Sequence, residues 1–345
     1  YFKLNYKQYS DLINIENGVF SPLKNFVNQR EFEDILNSKY LKNNFFPYPI
    51  FLGINKTQFN KIKDKKEITL SYKSYLKIKI EKIKFFTINK DLFGKKIYGK
   101  NFKKHPYFKI FKKDNFRFLS FKIIENKQLI KLPKLFLSPS KFKKKIKKKV
   151  KVLPSFHTRN VPHTAHQWIH KYLLKKYKSI LIHPLIGQYK KGEYKNHYII
   201  KTNIVAAKLL KSKKVFCLPF FSYPRYGGPR EAALHALVRK NYGCSHFWVG
   251  RDHAGYKNFF SKYDSQKFCK KNEGKLGIKI ISKKEPYFCN TCKKITNNCQ
   301  KKICKKNKIS ISGTKIRNLI LKKKKIPEIF MNKKISKFLN KKSLL

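Results

Sequence analysis

Residues 152–166 read VLPSFHTRNVPHTAH, and the change of pattern inside this stretch decides the fold. The apolar run 152–156 fits a buried strand, Thr158, Arg159 and Asn160 make a polar turn, and residues 162–176 carry apolar positions at helical spacing. Pro162 suits an early helix position, and His163 and His166, three apart, are expected on one face of the first turn. A strand, a turn and a helix start in that order offer backbone N–H groups and a positive dipole end to a polyphosphate. A lone HxxH also occurs at surface and metal-binding positions; the Arg-Asn turn before it favours a nucleotide.

The same alternation continues downstream. Strands are expected over 179–182, 214–219, 246–250 and 277–281, and helices over 197–210, 229–242 and 256–269. Such alternation predicts a parallel sheet covered on both faces, with ligands at the carboxyl ends of its strands. Upstream, one helical stretch around residues 11–41 precedes short alternating segments such as 68–79 and 116–124, the pattern of a mainly β module. Between the two regions, KFKKKIKKKVK (residues 141–151) reads as a solvated linker. GKKIYGK (residues 94–100) is a near miss to a phosphate-binding loop. Asn101 stands where a Mg²⁺-binding Ser or Thr belongs, so the segment is expected to be a turn.

The formal charge is +65, from 83 Lys and Arg against 18 Asp and Glu, which would ordinarily direct attention to nucleic acid. Lys is spread along most of the chain, and Asn, Ile, Phe and Tyr are abundant as well, the signature of an A+T-rich coding sequence. Nucleic acid is therefore not an expected partner. Only eight residues are Arg, and six of them (Arg159, Arg225, Arg230, Arg239, Arg251, Arg317) fall between 159 and 317; Arg30 and Arg117 are the exceptions. Lys supplies charge but no planar fork for phosphate or sulfate, so these positions draw attention.

Seven Cys and no secretory signal favour a reducing, cytoplasmic setting, and no apolar run is long enough for a membrane span. The chain opens on Tyr1 and not on Met, which leaves room for an upstream segment. Cys289, Cys292, Cys299 and Cys304 form two near pairs suited to tetrahedral Zn²⁺, with an iron-sulfur centre or unliganded thiols as alternatives. Cys217, Cys244 and Cys269 read as ordinary buried residues.

Residues 157–166 are similar to the TRN-x-P-H-x-x-H motif of the sulfate adenylyltransferases, members of the HxxH nucleotidylyltransferase superfamily. The resemblance runs through nearly the whole chain: GVFSPL at 18–23, FPYPI at 46–50, HPLIG at 183–187, RYGGPRE at 225–231, RKNYGC at 239–244, GRDHAG at 250–255 and ISGTKIR at 311–317. It implies an α/β fold: a Rossmann-like HxxH nucleotidylyltransferase domain (146–285), an N-terminal mainly β PUA-like domain (1–145) and a small C-terminal zinc-knuckle and helical segment (286–345). It also implies the reaction ATP + sulfate = adenylylsulfate (APS) + diphosphate, run in either direction, including ATP formation in sulfur oxidation.

Carried onto matching positions, the resemblance makes Thr158, Arg159, Asn160, His163, His166 and Arg251 catalytic. It gives the nucleotide those residues together with His157, Gly250, Asp252, His253, Ser312 and Thr314. Sulfate falls to His157, Arg159 and Ala254, and a structural Zn²⁺ to Cys289, Cys292, Cys299 and Cys304. His157 stands where the family has Gln, Pro224 where it has Met, and Gly227 where it has Ala. Mg²⁺ is expected with ATP, and a homo-oligomer is expected. The GRDHAG reading has independent support, since glycines let backbone approach a ligand and Arg251 suits an oxyanion. Ser312 or Thr314 would also be explained as a plain helix cap. Two other readings compete. An adenylyltransferase for another acceptor shares the HxxH and SGTxxR elements but not GRDHAG, and an RNA-binding PUA-like protein accounts for the charge alone.

Overall fold

Five strands separated in sequence by helices lie side by side in one parallel sheet. They are β9 (Pro154–Thr158), β10 (Ile180–Ile186), β11 (Val215–Cys217), β13 (His246–Val249) and β14 (Lys279–Ser282), in the order β11-β10-β9-β13-β14, with β12 (Phe220–Phe221) also paired to β10. The computed structural model describes residues 1–124, 129–147, 150–187, 192–299, 304 and 307–345. Its contacts divide the chain into two interleaved units. One comprises Tyr1–Lys143, Pro224–Gly243 and Asp252–Ile278; the other comprises Lys144–Tyr223, Cys244–Arg251 and Lys279–Leu345, and holds the parallel sheet.

In this second unit the chain steps outward from β9 through α7 (Thr164–Tyr177) to β10, and through α8 (Asn196–Lys208) to β11. It resumes on the opposite side of β9 with β13. The strand order thus reverses between β9 and β13, and such a reversal opens a crevice at the carboxyl ends of the strands. All seven residues of β10 are buried, as a strand covered on both faces requires. One apolar cluster is built from Phe156, Ile169, Leu173, Ile180, Ile182 and Trp248; another gathers Val161, Ile186, Ile199 and Ala206 with the C-terminal Ile316, Ile320 and Met331. A small antiparallel sheet follows, β15 (Tyr287–Cys289), β16 (Lys294–Thr296) and β17 (Lys308–Ile309) in the order β16-β15-β17. It leads to α12 (Gly313–Leu321) and α13 (Lys333–Ser336).

The first unit is organised on a sheet of order β1-β5-β6-β7-β4, formed by β1 (Phe2–Lys3), β4 (Leu52–Ile54), β5 (Glu67–Tyr72), β6 (Leu76–Phe86) and β7 (Arg117–Ile123). β8 (Leu129–Ile130) is added beside β6, and β2 (Tyr40–Leu41) and β3 (Asn44–Phe45) make a separate hairpin. The expected strand 68–79 is two antiparallel strands, because residues 73–75 turn between β5 and β6.

Helices are more numerous in this unit than the sequence reading expects. The stretch 11–41 resolves into α1 (Tyr6–Glu16) and α2 (Gln29–Ser38), and α3 (Lys56–Ile62) follows. Each of the three starts on an Asn capping box: Asn5 with Gln8, Asn28 with Glu31, Asn55 with Gln58. The expected turn at 94–100 lies mostly in α4 (Lys90–Tyr98), which begins on Asn89 and ends at Gly99 with φ 84°. Gly94 is needed inside it because a Cβ there would come within 2.2 Å of Phe102 and 2.6 Å of Phe108. After it, α5 (Pro106–Asp114) lends Phe111 to an aromatic core with Phe32, Phe51, Phe93 and Phe118. The expected linker 141–151 is also partly helical: in α6 (Pro139–Ile146) Phe142 and Ile146, four apart, are both buried. Residues 148–149 of that stretch lie outside the described residues. α9 (Gly228–Asn241), α10 (Asp264–Lys271) and α11 (Glu273–Leu276) complete the unit; the expected helix 256–269 starts only at Asp264, after a series of turns. Among the described residues no helix is long and apolar enough to cross a membrane.

Candidate active site

The register of β9 and β13 places two guanidinium groups on neighbouring turns. Phe156 pairs with Trp248, and three residues beyond each, past the carboxyl ends of the strands, stand Arg159 and Arg251. Neighbouring strands run about 4.8 Å apart, so the two turns open on the same crevice. Each arginine faces a carboxylate: Arg251 Nη1 lies 2.7 Å from Glu285, and Arg159 Nη1 lies 4.0 Å from Glu193. Both pairs are partly exposed, so an anion brought by solvent reaches them.

The turn after β9 is held from several sides. Thr158 Oγ1 accepts from the Asn160 backbone N–H at 3.1 Å, and Asn203 on α8 donates to the Asn160 carbonyl at 3.3 Å. Arg317 on α12 donates to Asn160 Oδ1 at 3.0 Å and to Thr314 Oγ1 at 3.2 Å. Ser312 is the N-cap of α12, accepting from Lys315 N–H, as the capping reading requires. Gly313 is the point of closest approach, since a Cβ there would sit 3.3 Å from both Arg317 and Asn160. ISGTKIR and TRN, far apart in the chain, therefore meet through one side chain. Beside them, His157 Nδ1 lies 3.3 Å from the His183 carbonyl on β10.

His163 is the N-cap of α7, one residue after Pro162, so Pro162 precedes the helix instead of opening it. Its Nδ1 accepts from the His166 backbone N–H at 3.3 Å, which leaves the proton of the neutral ring on Nε2. The rings of His163 and His166 stack with centroids 3.7 Å apart. Burial pushes the His163 pKa down to about 4, and burial, aided by the neighbouring histidines, pushes His166 well below the usual range. Both are neutral hydrogen-bonding groups near pH 7, not cations. Further along α7, His170 is fully buried at a pKa of about 3, chiefly by desolvation, and neither ring nitrogen has a hydrogen-bond partner among the described residues.

The division between the two units falls inside GRDHAG, after Arg251, so Asp252, His253 and Ala254 belong to the first unit. There Asp252 and Ala254 adopt left-handed φ of 52° and 58°. The loop is held by Asp252 N–H to the Lys262 carbonyl at 2.9 Å, Gly228 N–H to the Ala254 carbonyl at 3.0 Å and Ser265 Oγ to the His253 carbonyl at 2.7 Å. Three of the arginines singled out from the sequence serve this unit's interior. Arg225 pairs with Asp11, Arg230 donates to the carbonyls of Ile35, Leu36 and Pro47, and Arg239 donates to that of His235.

The four clustered cysteines form a separate centre. Sγ separations are 3.9 Å for Cys289 to Cys299, 3.5 Å for Cys292 to Cys299 and 3.5 Å for Cys292 to Cys304. A tetrahedron with Zn–S bonds of about 2.3 Å has edges of about 3.8 Å, so the sulfurs fit a metal and are too far apart for disulfides. Within the cluster a hydrogen bond from the Cys292 backbone holds the Cys289 thiol down at about 7, while a hydrogen bond with Cys299 and burial push the Cys304 thiol up to about 12, so a metal that binds all four as thiolates must displace protons. Of the remaining cysteines, Cys244 and Cys269 are buried and Cys217 is half-buried. Glu285, Asn203 and the Arg317–Asn160 bond escape sequence reasoning. Arg317 closes the ISGTKIR motif and so had a signal, whereas Glu285 and Asn203 had none.

A Rossmann-like nucleotide-binding sheet accompanied by a PUA-like domain defines the class: residues 1–120 match the family model of a PUA-like domain. Among solved structures, the hexameric APS kinase from Thiobacillus denitrificans shares the fold with a TM-score of 0.70 at 15% identity, covering 96% of this chain, which spans 61% of that protein. Residues 133–342 match the model of ATP-sulfurylase, and the chain belongs to the ATP-sulfurylase family of nucleotidyltransferase enzymes. The sulfate adenylyltransferase of Pyrococcus abyssi is 33% identical over 336 residues, 94% of this chain and 86% of that protein. Those of Staphylothermus marinus and Persephonella marina are each 30% identical, over 97% and 96% of this chain and 88% of theirs.

Proposed function

We propose that the turns after β9 and β13 bring a sulfate oxygen against the α-phosphorus of ATP, giving APS and diphosphate, and catalyse the reverse step equally. The bond formed joins sulfate oxygen to phosphorus. The bond broken joins phosphorus to the bridging oxygen, whose electron pair leaves with diphosphate, and no proton need move. The obstacle is the approach of two anions, which alignment and fixed positive charge overcome; alignment alone contributes roughly 7 to 11 kcal/mol. Arg159 and Arg251 neutralise the attacking and transferring groups. Asn160, held by Arg317, and the neutral N–H donors of His163 and His166 stabilise charge on the departing oxygen. Glu193 and Glu285 hold the arginines until an anion replaces them.

Mg²⁺ arriving with ATP supplies charge neutralisation on the outer phosphates. The cysteine centre is proposed to hold one structural Zn²⁺, with sequence segments 1–145, 146–285 and 286–345 acting as PUA-like, catalytic and zinc-knuckle/helical modules. A homo-oligomer is favoured by the hexameric state named for the APS kinase. The observation that carries the reading is the Phe156–Trp248 register, which sets Arg159 and Arg251 on adjacent turns at the reversal of strand order. Diphosphate-dependent ATP formation from APS tests it, with molybdate-stimulated ATP cleavage as the forward surrogate. Absence of both activities in metal-replete protein overturns it.

A further inference from the structure

Residues 192–195 lie between β10 and α8, and they are fixed at two places. At the base of this connection Gly187 N–H donates to Asn196 Oδ1 at 3.2 Å and Asn196 Nδ2 donates to the Gly187 carbonyl at 2.8 Å, which ties the end of the strand to the start of the helix. The second hold comes from residues 343–345. Lys195 N–H donates to the Ser343 carbonyl at 3.0 Å, Leu345 N–H donates to the Glu193 carbonyl at 2.8 Å, and Gly192 N–H donates to the Leu345 carbonyl at 2.9 Å. Tyr194 and Leu344 are antiparallel partners at the centre of this pairing, and both are buried in the apolar cluster that holds Ile199, Ile316 and Ile335. Both segments belong to the unit that holds the parallel sheet.

Extended backbone turns successive side chains to opposite sides. With Tyr194 directed into the core, Glu193 faces away from it, and its carboxylate stands 4.0 Å from Arg159 Nη1. A side chain on a loose loop loses conformational entropy each time it takes up one geometry. Three backbone hydrogen bonds and two buried side chains remove most of that loss for Glu193 beforehand. The carboxylate is thereby kept beside Arg159, where it competes with an incoming oxyanion.

We infer that residues 343–345 are positioning residues for Glu193, and that their pairing with 192–195 sets the oxyanion concentration at which Arg159 exchanges its internal carboxylate for substrate. The inference rests on the adenylyltransferase reading, in which Arg159 receives the oxyanion.

Leu345→Pro deletes the N–H that reaches the Glu193 carbonyl. Leu344, at φ −96° and ψ 154°, already has the extended backbone that precedes a proline, so the replacement adds no strain there. Leu345→Ala keeps the N–H and trims a side chain that is 48% exposed. The readout is the molybdate concentration that half-saturates molybdate-stimulated ATP cleavage by metal-replete protein at saturating ATP. Glu193→Gln, which removes the competing charge, should lower it about two- to fivefold, the span of an exposed ion pair. Leu345→Pro should lower it by about twofold, and Leu345→Ala should leave it at the parent value. Leu345→Pro added to Glu193→Gln should change it no further, because the pairing then has no charge to position. An unchanged half-saturation in Leu345→Pro, whatever its melting temperature, makes the pairing structural only and overturns the inference. A rise, a matching fall in Leu345→Ala, or an equal fall with and without the Glu193 carboxylate overturns it too. If the parent shows no molybdate-stimulated cleavage, the adenylyltransferase reading fails instead. Calorimetric titration of molybdate into the parent and Leu345→Pro then decides the positioning without turnover: tighter binding to the variant sustains it, and equal or weaker binding ends it.

Discussion

Replacing Arg317 with Met keeps the aliphatic stem and removes the guanidinium that joins the TRN turn to ISGTKIR. The structure apportions the loss. The contact to Thr314 at 3.2 Å is exposed and contributes little, because water replaces it. The contact to Asn160 Oδ1 at 3.0 Å is partly buried and charge-assisted, a class worth about 1.5 to 3 kcal/mol. If that bond holds the Asn160 side chain in the orientation used in the transition state, kcat/KM for ATP formation from APS should fall about 10- to 100-fold. The melting temperature should move by less than about 5 °C, since the freed Asn160 oxygen gains water and the Thr314 contact contributes little. Arg317→Lys should fall between parent and Met, because an ammonium reaches one acceptor where the fork reaches two. Turnover of Arg317→Met within about twofold of the parent, with an unchanged melting temperature, would remove Asn160 orientation from the mechanism.

Arg159→Lys should lose most of its turnover while keeping its charge, measured by the same assay; near-parent rates would mean the planar fork is not what the site uses. Chelation is expected to release one Zn²⁺ per chain and raise hydrogen exchange in the described part of 289–304, leaving the β9–β10 pairing protected; a metal-free purified, reduced protein would end that expectation. Because His163 titrates at about 4 and His170 at about 3 when folded, against 6.5 when free, the unfolded chain binds more protons between those values. Stability should therefore be complete above pH 6.5 and fall as pH drops toward 4, by up to about 1.4 kcal/mol per pH unit for each such histidine, as followed by urea unfolding. His170→Leu removes two buried nitrogens that have no hydrogen-bond partner among the described residues, at similar volume, so it should raise stability by about 1 kcal/mol and flatten the acid slope; a drop of that size would refute the reasoning.

The parallel sheet was legible because its signals are local. β9, β10 and β13 each contain a short apolar run, and period alone found them to within four residues at either end. The helices of the first unit were harder for a chemical reason. Their caps are written in Asn, at Asn5, Asn28, Asn55 and Asn89; Asn is a strong capping residue, but in an Asn-rich chain its signal merges with background. α6 was hidden by Lys, since the buried Phe142 and Ile146 stand among four lysines. The TRN turn and the cysteine spacing were legible as motifs. What no motif carries is pairing at long range. Nothing in the sequence joins Arg317 to Asn160 or Glu285 to Arg251, because those contacts arise from sheet order and helix packing.

The arginines show how such a chain separates charge from geometry. Where positive charge alone is required, Lys serves, and surface charges contribute little in any case. Arg persists where one side chain must satisfy several acceptors at once. Arg230, at 8% exposure, reaches three backbone carbonyls, and Arg239, fully buried, supports the carbonyl of His235. Burial lowers the pKa of Arg230 to about 10, which still leaves it charged at neutral pH. In the second unit, Arg317 bridges two side-chain oxygens, while Arg159 and Arg251 meet carboxylates at the ends of neighbouring strands. Rarity alone therefore marks geometry, not catalysis. The feature that singles out Arg159 and Arg251 is partial exposure at the reversal of strand order, where a bound oxyanion can take the place that Glu193 and Glu285 now hold.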